Sequence, residues 1–211
     1  LQFVRADLES DVCRVQMDQH ILAVRDARRH AGTLATADRL MPMFKPSDWV
    51  EEVRRIAPPT IELATPFLDL YLLVYADFGR AARPITTADL AAMGLTIEDA
   101  RNRALENLRE RAPPLPPHRL NPGVVNLHGH GTYTAATLLL DARWRRLAED
   151  HPDGVVVAPS TRDVVLLGVD TADSRERLRE AAQHLAARYE HPVTTALWRW
   201  TGVGWSLIPD A

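Results

Sequence analysis

LDLYLLVYADFGRAARPITTADLAAMGLTIEDARNRALENLRER, residues 68–111, is the stretch that decides the fold. From Asp69 to Tyr75 it is aliphatic or aromatic on both alternating faces, as expected of a central strand covered from two sides. Residues 77–84, DFGRAARP, supply glycine, proline and aspartate for a turn. Thr86, with Asp89 three residues on, predicts a capped short helix, which Gly94 closes in a left-handed conformation. Thr96 and Asp99 repeat the device at once. Ala100, Ala104, Leu105 and Leu108 then form the apolar stripe of a second helix.

Upstream, SDWVEEVRRI (residues 47–56) reads as a helix with Ser47 as N-cap, Glu51 reaching back, and Trp49, Val53 and Ile56 on one face. Pro58-Pro59 stops it, because two prolines break the hydrogen-bond ladder. Thr36–Leu40 reads as a short helix. Val12, Val15 and Met17, then Ile21, Leu22 and Val24, predict a β-hairpin around residues 18–20. Downstream, APPLPPHRLNP (residues 112–122) is a stiff proline-rich linker. Val124–Leu127 and Tyr133–Leu140 follow as expected strands, and Asp141 opens a helix carrying Trp144, Leu147 and Ala148. GVVVAPSTRDVVLLGV (residues 154–169) predicts a hairpin with its tip at Pro159–Arg162. Ser174 is the expected cap of a helix bearing Leu178, Ala181, Ala182, Leu185 and Tyr189. Two short strands close the chain around Thr201–Gly204. The pattern divides the chain into residues 1–111, the linker, and residues 123–211, two parts sharing one core. Its class is α+β, mainly antiparallel sheet with helices packed on it.

Composition narrows the function. Of 211 residues, 46% are hydrophobic and 25% charged, with a formal net charge of −3. That balance is ordinary for a globular chain and gives no prior for nucleic acid. Lys45 is the one lysine among 25 Lys and Arg residues. The arginine excess reads first as coding bias and second as a supply of bidentate forks for anions. Cys13, the only cysteine, lies in an alternating apolar segment and reads as a small buried hydrophobe, in keeping with a reducing cytoplasm. No run of ~18 apolar residues marks a membrane span. The start at Leu1, with no charged and apolar leader after it, reads as trimmed or processed.

LMPMFKPSDWVEEVRR, FLDLYLLVYAD, ITTADLAAMGLTIEDARNRALENLR, TYTAATLLLDARWRRLAE, VVVAPSTRDVVLLG and HPVTTALWRW occur in that order. Together, over roughly residues 40–200, they resemble the YtpQ-like family of bacterial proteins of unknown function. The most specific piece is the LxxxGLTxEDAxxxALENLR segment. The chain differs from the family pattern at Thr134, where an acidic residue is usual, and at Thr161, an extra residue in a PSRD tip. The resemblance implies a fold and transfers no catalytic residue.

Few constellations carry chemistry. His128 and His130, beside glycines, read first as a polar turn; on a strand they would turn both imidazoles to one face, the beginning of a divalent-metal site in a hydrolase. His118, His151 or Asp163 would have to complete it. Arg162 and Asp163, at the hairpin tip, read first as a turn whose aspartate bonds its own backbone and whose arginine is solvated or paired locally. Second, they suit an anionic ligand or the carboxylate of a protein partner. Trp198, Trp200 and Trp205 read as cross-strand core packing, or, if exposed, as an aromatic anchor for a partner. Asp69 and Asp77 are no acid–base pair: eight strand residues separate them by roughly 26 Å, against the ~5–10 Å that hydrolytic carboxylates need. Gly202-Val-Gly204 opens no helix and so is no dinucleotide loop. Neither a GxSxG elbow nor a phosphate-binding loop occurs. The expectation is therefore a soluble, cytoplasmic, non-catalytic module that binds a protein or small ligand, without cofactor, nucleic acid or membrane. The competing expectations are a metal-dependent hydrolase at His128 and His130, and an immunity or accessory protein for a neighbouring gene product. Homodimerisation through a sheet edge stays open.

Overall fold

The chain was described as a computed structural model, which covers residues 33–56, 61–63, 65, 67, 70–79, 81–112, 124–127, 131–189 and 191–209. The expected hairpin near residue 20, Cys13, Pro58-Pro59, Asp69, residues 113–122 of the linker, and His128 with His130 lie outside them.

The opening stretch folds as its pattern dictates. Strand β3 (Leu70–Asp77) is the centre of a four-stranded antiparallel sheet, paired with β1 (Leu40–Pro46) on one side and with β2 (Glu62–Leu63) and β4 (Ala82–Pro84) on the other. Leu70, Leu72, Val74 and Ala76 face one core cluster; Leu73 and Tyr75 face another. Helix α2 (Thr87–Met93) carries the full Thr86–Asp89 capping box and ends at Gly94 with φ 67°, and α3 (Ile97–Arg111) carries the Thr96–Asp99 box. On α3, Ala100, Ala104 and Leu108 are buried as expected, and Asn107 joins them. Its amide donates to the carbonyls of Ala37 (2.9 Å) and Leu40 (2.8 Å). The expected helix at Thr36–Leu40 shrinks accordingly to one 3-10 turn, Ala37–Arg39.

Strand β1, LMPMFKP, has no sequence signature of a strand because two prolines interrupt it. Proline is tolerated there because β1 has a neighbour on one side only, so a missing N–H breaks no ladder. Helix α1 (Ser47–Ile56) follows at once. Its innermost residue is Val50, 1% exposed, with Trp49 half-buried beside it.

The second sheet is five-stranded and antiparallel, in the order β5 (Val125–Leu127), β7 (Val164–Val169), β6 (Val155–Thr161), β8 (Leu197–Trp200), β9 (Trp205–Ile208). Helix α5 (Ala172–Arg188) covers one face, setting Leu178 and Ala182 on Val156, Ala158, Leu166, Leu197 and Ile208. Its N-cap is Thr171, not Ser174: the Thr171 hydroxyl accepts from the Ser174 N–H (3.2 Å). The other face shares a core cluster with the first sheet. A chain of rings runs through that cluster. Phe44 of β1 meets Phe67 edge-on (5.1 Å), Phe67 meets Trp198 (4.7 Å), and Trp205 meets both Trp200 (5.2 Å) and Trp144 (5.1 Å) of α4 (Asp141–Glu149).

Tyr133–Leu140 is not a strand. Residues Gly131–Tyr133 and Ala135–Leu139 form 3-10 turns instead. Residues Thr134 to Leu138 are all buried, so no alternation separates an inner face from an outer one. The turn's carbonyls serve the tryptophans: Thr137 accepts from the Trp144 indole N–H (2.8 Å) and Leu138 from that of Trp205 (3.0 Å).

Candidate functional site

Strand β6 does not stop at Pro159. Its pairing with β7 shifts by one residue between Ala158 and Thr161, a β-bulge that takes in Pro159 and Ser160. Proline fits a bulge because its missing N–H sits where the ladder is already broken. The hairpin tip therefore moves outward to Arg162-Asp163. The bulge also frees carbonyls for another segment: Ser160 accepts from Val193 N–H (2.9 Å) and Pro159 from Thr194 N–H (3.3 Å). Thr161 and Pro192 bridge, and Arg162 N–H donates to the His191 carbonyl (3.3 Å). This stitching holds His191 at φ 66°, a left-handed conformation costing a residue with a Cβ about 1–2 kcal/mol.

Against this tip lies the end of β1. Phe44, Lys45, Pro46, Asp48, Trp49, Glu52, Arg162, His191, Pro192 and Val193 enclose a cleft of about 400 Å³. Lys45 is 8% exposed. Its ammonium sits over the Trp49 ring at 4.5 Å and 5.7 Å from the centre of the Tyr75 ring. Among the described residues no carboxylate forms an ion pair with it. Burial first, and then the Arg162 guanidinium, pushes the Lys45 amine down to about 8, while Asp163 pulls the other way. The Trp49 face offsets part of that penalty, by ~0.5–2 kcal/mol. Burial likewise pushes the Tyr75 hydroxyl up, assisted by Tyr133 and opposed by Arg162.

The acids around the cleft are engaged locally. Glu52 pairs with Arg55, Asp48 accepts from the Trp49 N–H (2.8 Å), and Asp163 lies 3.5 Å from Arg162 Nε. Arg162 and Asp163 are only partly exposed, at 28% and 44%. The cleft thus brings a desolvated ammonium and the Arg162 guanidinium together between apolar walls, with Asp48 and Glu52 on its α1 side held by local partners. In that setting the two cations can take an anion attached to a short carbon skeleton.

A second cleft of about 490 Å³ opens at the start of α4, lined by Arg109, Leu139, Leu140, Asp141, Ala142, Arg143 and Arg145. One guanidinium nitrogen of Arg143 is buried there without an acceptor among the described residues, and burial lowers the pKa of Arg143.

The other expected site residues fall elsewhere. Trp198, Trp200 and Trp205 are 1%, 4% and 8% exposed, so they are core rings and present no anchor on the surface, a correction to that alternative. Packing of two sheets turns them inward. His151 is buried behind α4, Asp163 is at the hairpin tip, and among the described residues no three His, Cys, Asp or Glu side chains gather as a metal site. Sequence reasoning reached Arg162 but not Lys45, Trp49 or His191. The one available signal was the singular lysine; its burial depends on contacts between distant segments. Among the described residues no helix is long and apolar enough to cross a membrane. No protein family, curated protein or solved structure matches the chain.

Proposed function

We propose that this protein is a non-catalytic binding module of the YtpQ-like type, and that it takes a small carboxylate in the cleft between Lys45 and Arg162. The observation that carries this reading is the buried ammonium of Lys45, with no ion-paired carboxylate among the described residues, lining the same cavity as Arg162. Burying a cation costs free energy unless something compensates, and sites with such perturbed groups in a cleft are enriched in function. A bound carboxylate supplies the counter-charge that Lys45 lacks among the described residues, and shares the Arg162 guanidinium with Asp163. The carboxylate of a protein partner has the same chemistry, but about 400 Å³ suits a small molecule. On sequence grounds the compartment is the reducing cytoplasm, and the slightly acidic chain argues against a nucleic-acid partner.

Calorimetric titration with lactate, acetate, inorganic phosphate and the uncharged propane-1,2-diol tests it. Saturable binding of lactate, weakened by about tenfold or more in Arg162→Ala, is the expected result for loss of one charge-assisted contact. Binding of the diol as tightly as lactate, or lactate binding that both Arg162→Ala and Lys45→Met leave intact, would remove the cleft from consideration.

A further inference from the structure

We propose that Lys45 is a carbonyl-reactive amine, which condenses with a small oxo acid whose carboxylate is held by Arg162. This rests on the reading of the cleft as a carboxylate site and adds a covalent step to it.

The residue type is the first argument. Anion binding alone is served better by arginine, whose fork is bidentate and permanently charged. This chain uses arginine for every cationic Lys or Arg position but one. The exception lies inside a cleft. What an ammonium can do there and a guanidinium cannot is lose its proton and attack as a nucleophile.

The surroundings are the second. The Lys45 stem is buried, its amine lies against Trp49, and Phe44, Pro46, Pro192 and Val193 supply apolar wall. Desolvation and a neighbouring cation are the two conditions that activate a lysine. Arg162 provides the cation. With the amine's pKa at about 8, roughly a tenth of it is neutral at pH 7, against less than about a thousandth for an ordinary lysine. The charged and titratable groups facing Lys45 are Asp48 and Glu52 of α1, Tyr75 of β3 with Tyr133 beyond it, Arg162 and Asp163 of the tip, and His191. Of these Asp163 opposes the shift, and Glu52 is occupied by Arg55.

The step balances without an outside reagent. The neutral amine attacks the carbonyl carbon, forming the C–N bond, and the carbonyl oxygen takes a proton to give a carbinolamine. Water then leaves with the C–O bond, and a protonated imine remains: ammonium and oxo acid in, iminium and water out. The iminium keeps the positive charge beside Trp49. The carboxylate on Arg162 fixes which end of the ligand reaches the amine.

Reductive trapping tests this. Folded protein is incubated with pyruvate or glyoxylate and cyanoborohydride near pH 7.5, and the adduct is located by peptide mass mapping, which separates Lys45 from the terminal amine. The expected result is one adduct on Lys45, formed about tenfold or more slower in Arg162→Ala, slowed by excess lactate, and absent from Lys45→Arg although that variant still binds lactate. Pyruvate binding by calorimetry with no Lys45 adduct would overturn the covalent step and leave the carboxylate site standing. Trapping no faster in the folded chain than in urea would overturn it as well. If pyruvate and lactate neither bind nor trap, both readings fall together.

Discussion

At the scale of single residues, Lys45 is held at a thermodynamic cost that can be measured. An ammonium whose folded pKa is near 8 is charged in both folded and unfolded chains below that pH, so the folded state bears the full burial penalty there. Between pH 8 and the ordinary lysine value the unfolded chain keeps a proton the folded chain has released, and stability rises with pH; above both values the penalty is gone. Lys45→Met, which keeps the stem's volume, is therefore expected to stabilise the protein at pH 7 by up to about 3 kcal/mol. That advantage should shrink steadily as urea denaturation is repeated toward pH 10, and a pH-independent difference would contradict it. The sequence showed Lys45 as a singular residue but not as a buried one. Burial depends on Trp49, Tyr75 and Arg162 arriving from three separate elements. Asn107 escaped the stripe of α3 for a related reason, since its partners, the carbonyls of Ala37 and Leu40, are 70 and 67 residues away.

At the scale of elements, the legible parts were those whose signals are local. Both threonine–aspartate capping boxes, the Gly94 stop and the centre of the α5 stripe, Leu178 and Ala182, depend on residues within a few positions of one another. Tyr189, expected on that stripe, lies past the helix end and is exposed. Strand β1 and the 3-10 turns at Gly131–Leu139 were not legible, because an edge position excuses prolines and a tryptophan pair claims carbonyls only after the chain has folded. Helix α5 carries a contact of this second kind. A Cβ at Gly168 of β7 would stand 2.3 Å from the Ser174 hydroxyl but 3.7 Å from its Cβ, and the Ser174 hydroxyl has no hydrogen-bond partner among the described residues. Gly168→Ala is thus expected to destabilise by about 1–3 kcal/mol through overpacking. In a Ser174→Ala background the same change should cost much less, since the nearest atom is then at ordinary contact distance. A double-mutant cycle by chemical denaturation reads the coupling. Additive effects would mean that Ser174 is not what limits the approach of helix to sheet.

For the whole molecule, the α+β class and the antiparallel order were readable from the run of strands and helices. The joint between the two sheets was not. It depends on Phe67, which sits outside any strand or helix, is 0% exposed, and touches rings from both sheets. Because one cluster serves both halves, heat or denaturant should remove far-ultraviolet and near-ultraviolet circular dichroism in a single coincident transition. Two separated transitions would show that the halves on either side of the proline-rich linker fold independently. The ring chain has an optical corollary. Of five tryptophans, Trp144, Trp198, Trp200 and Trp205 are locked in the interior, and Trp49 alone borders the cleft and its amine. The protein thus comes with two separate built-in lamps, one lighting the integrity of the core and the other the occupancy of the cavity. A Trp49→Phe substitution extinguishes the second and leaves the first burning.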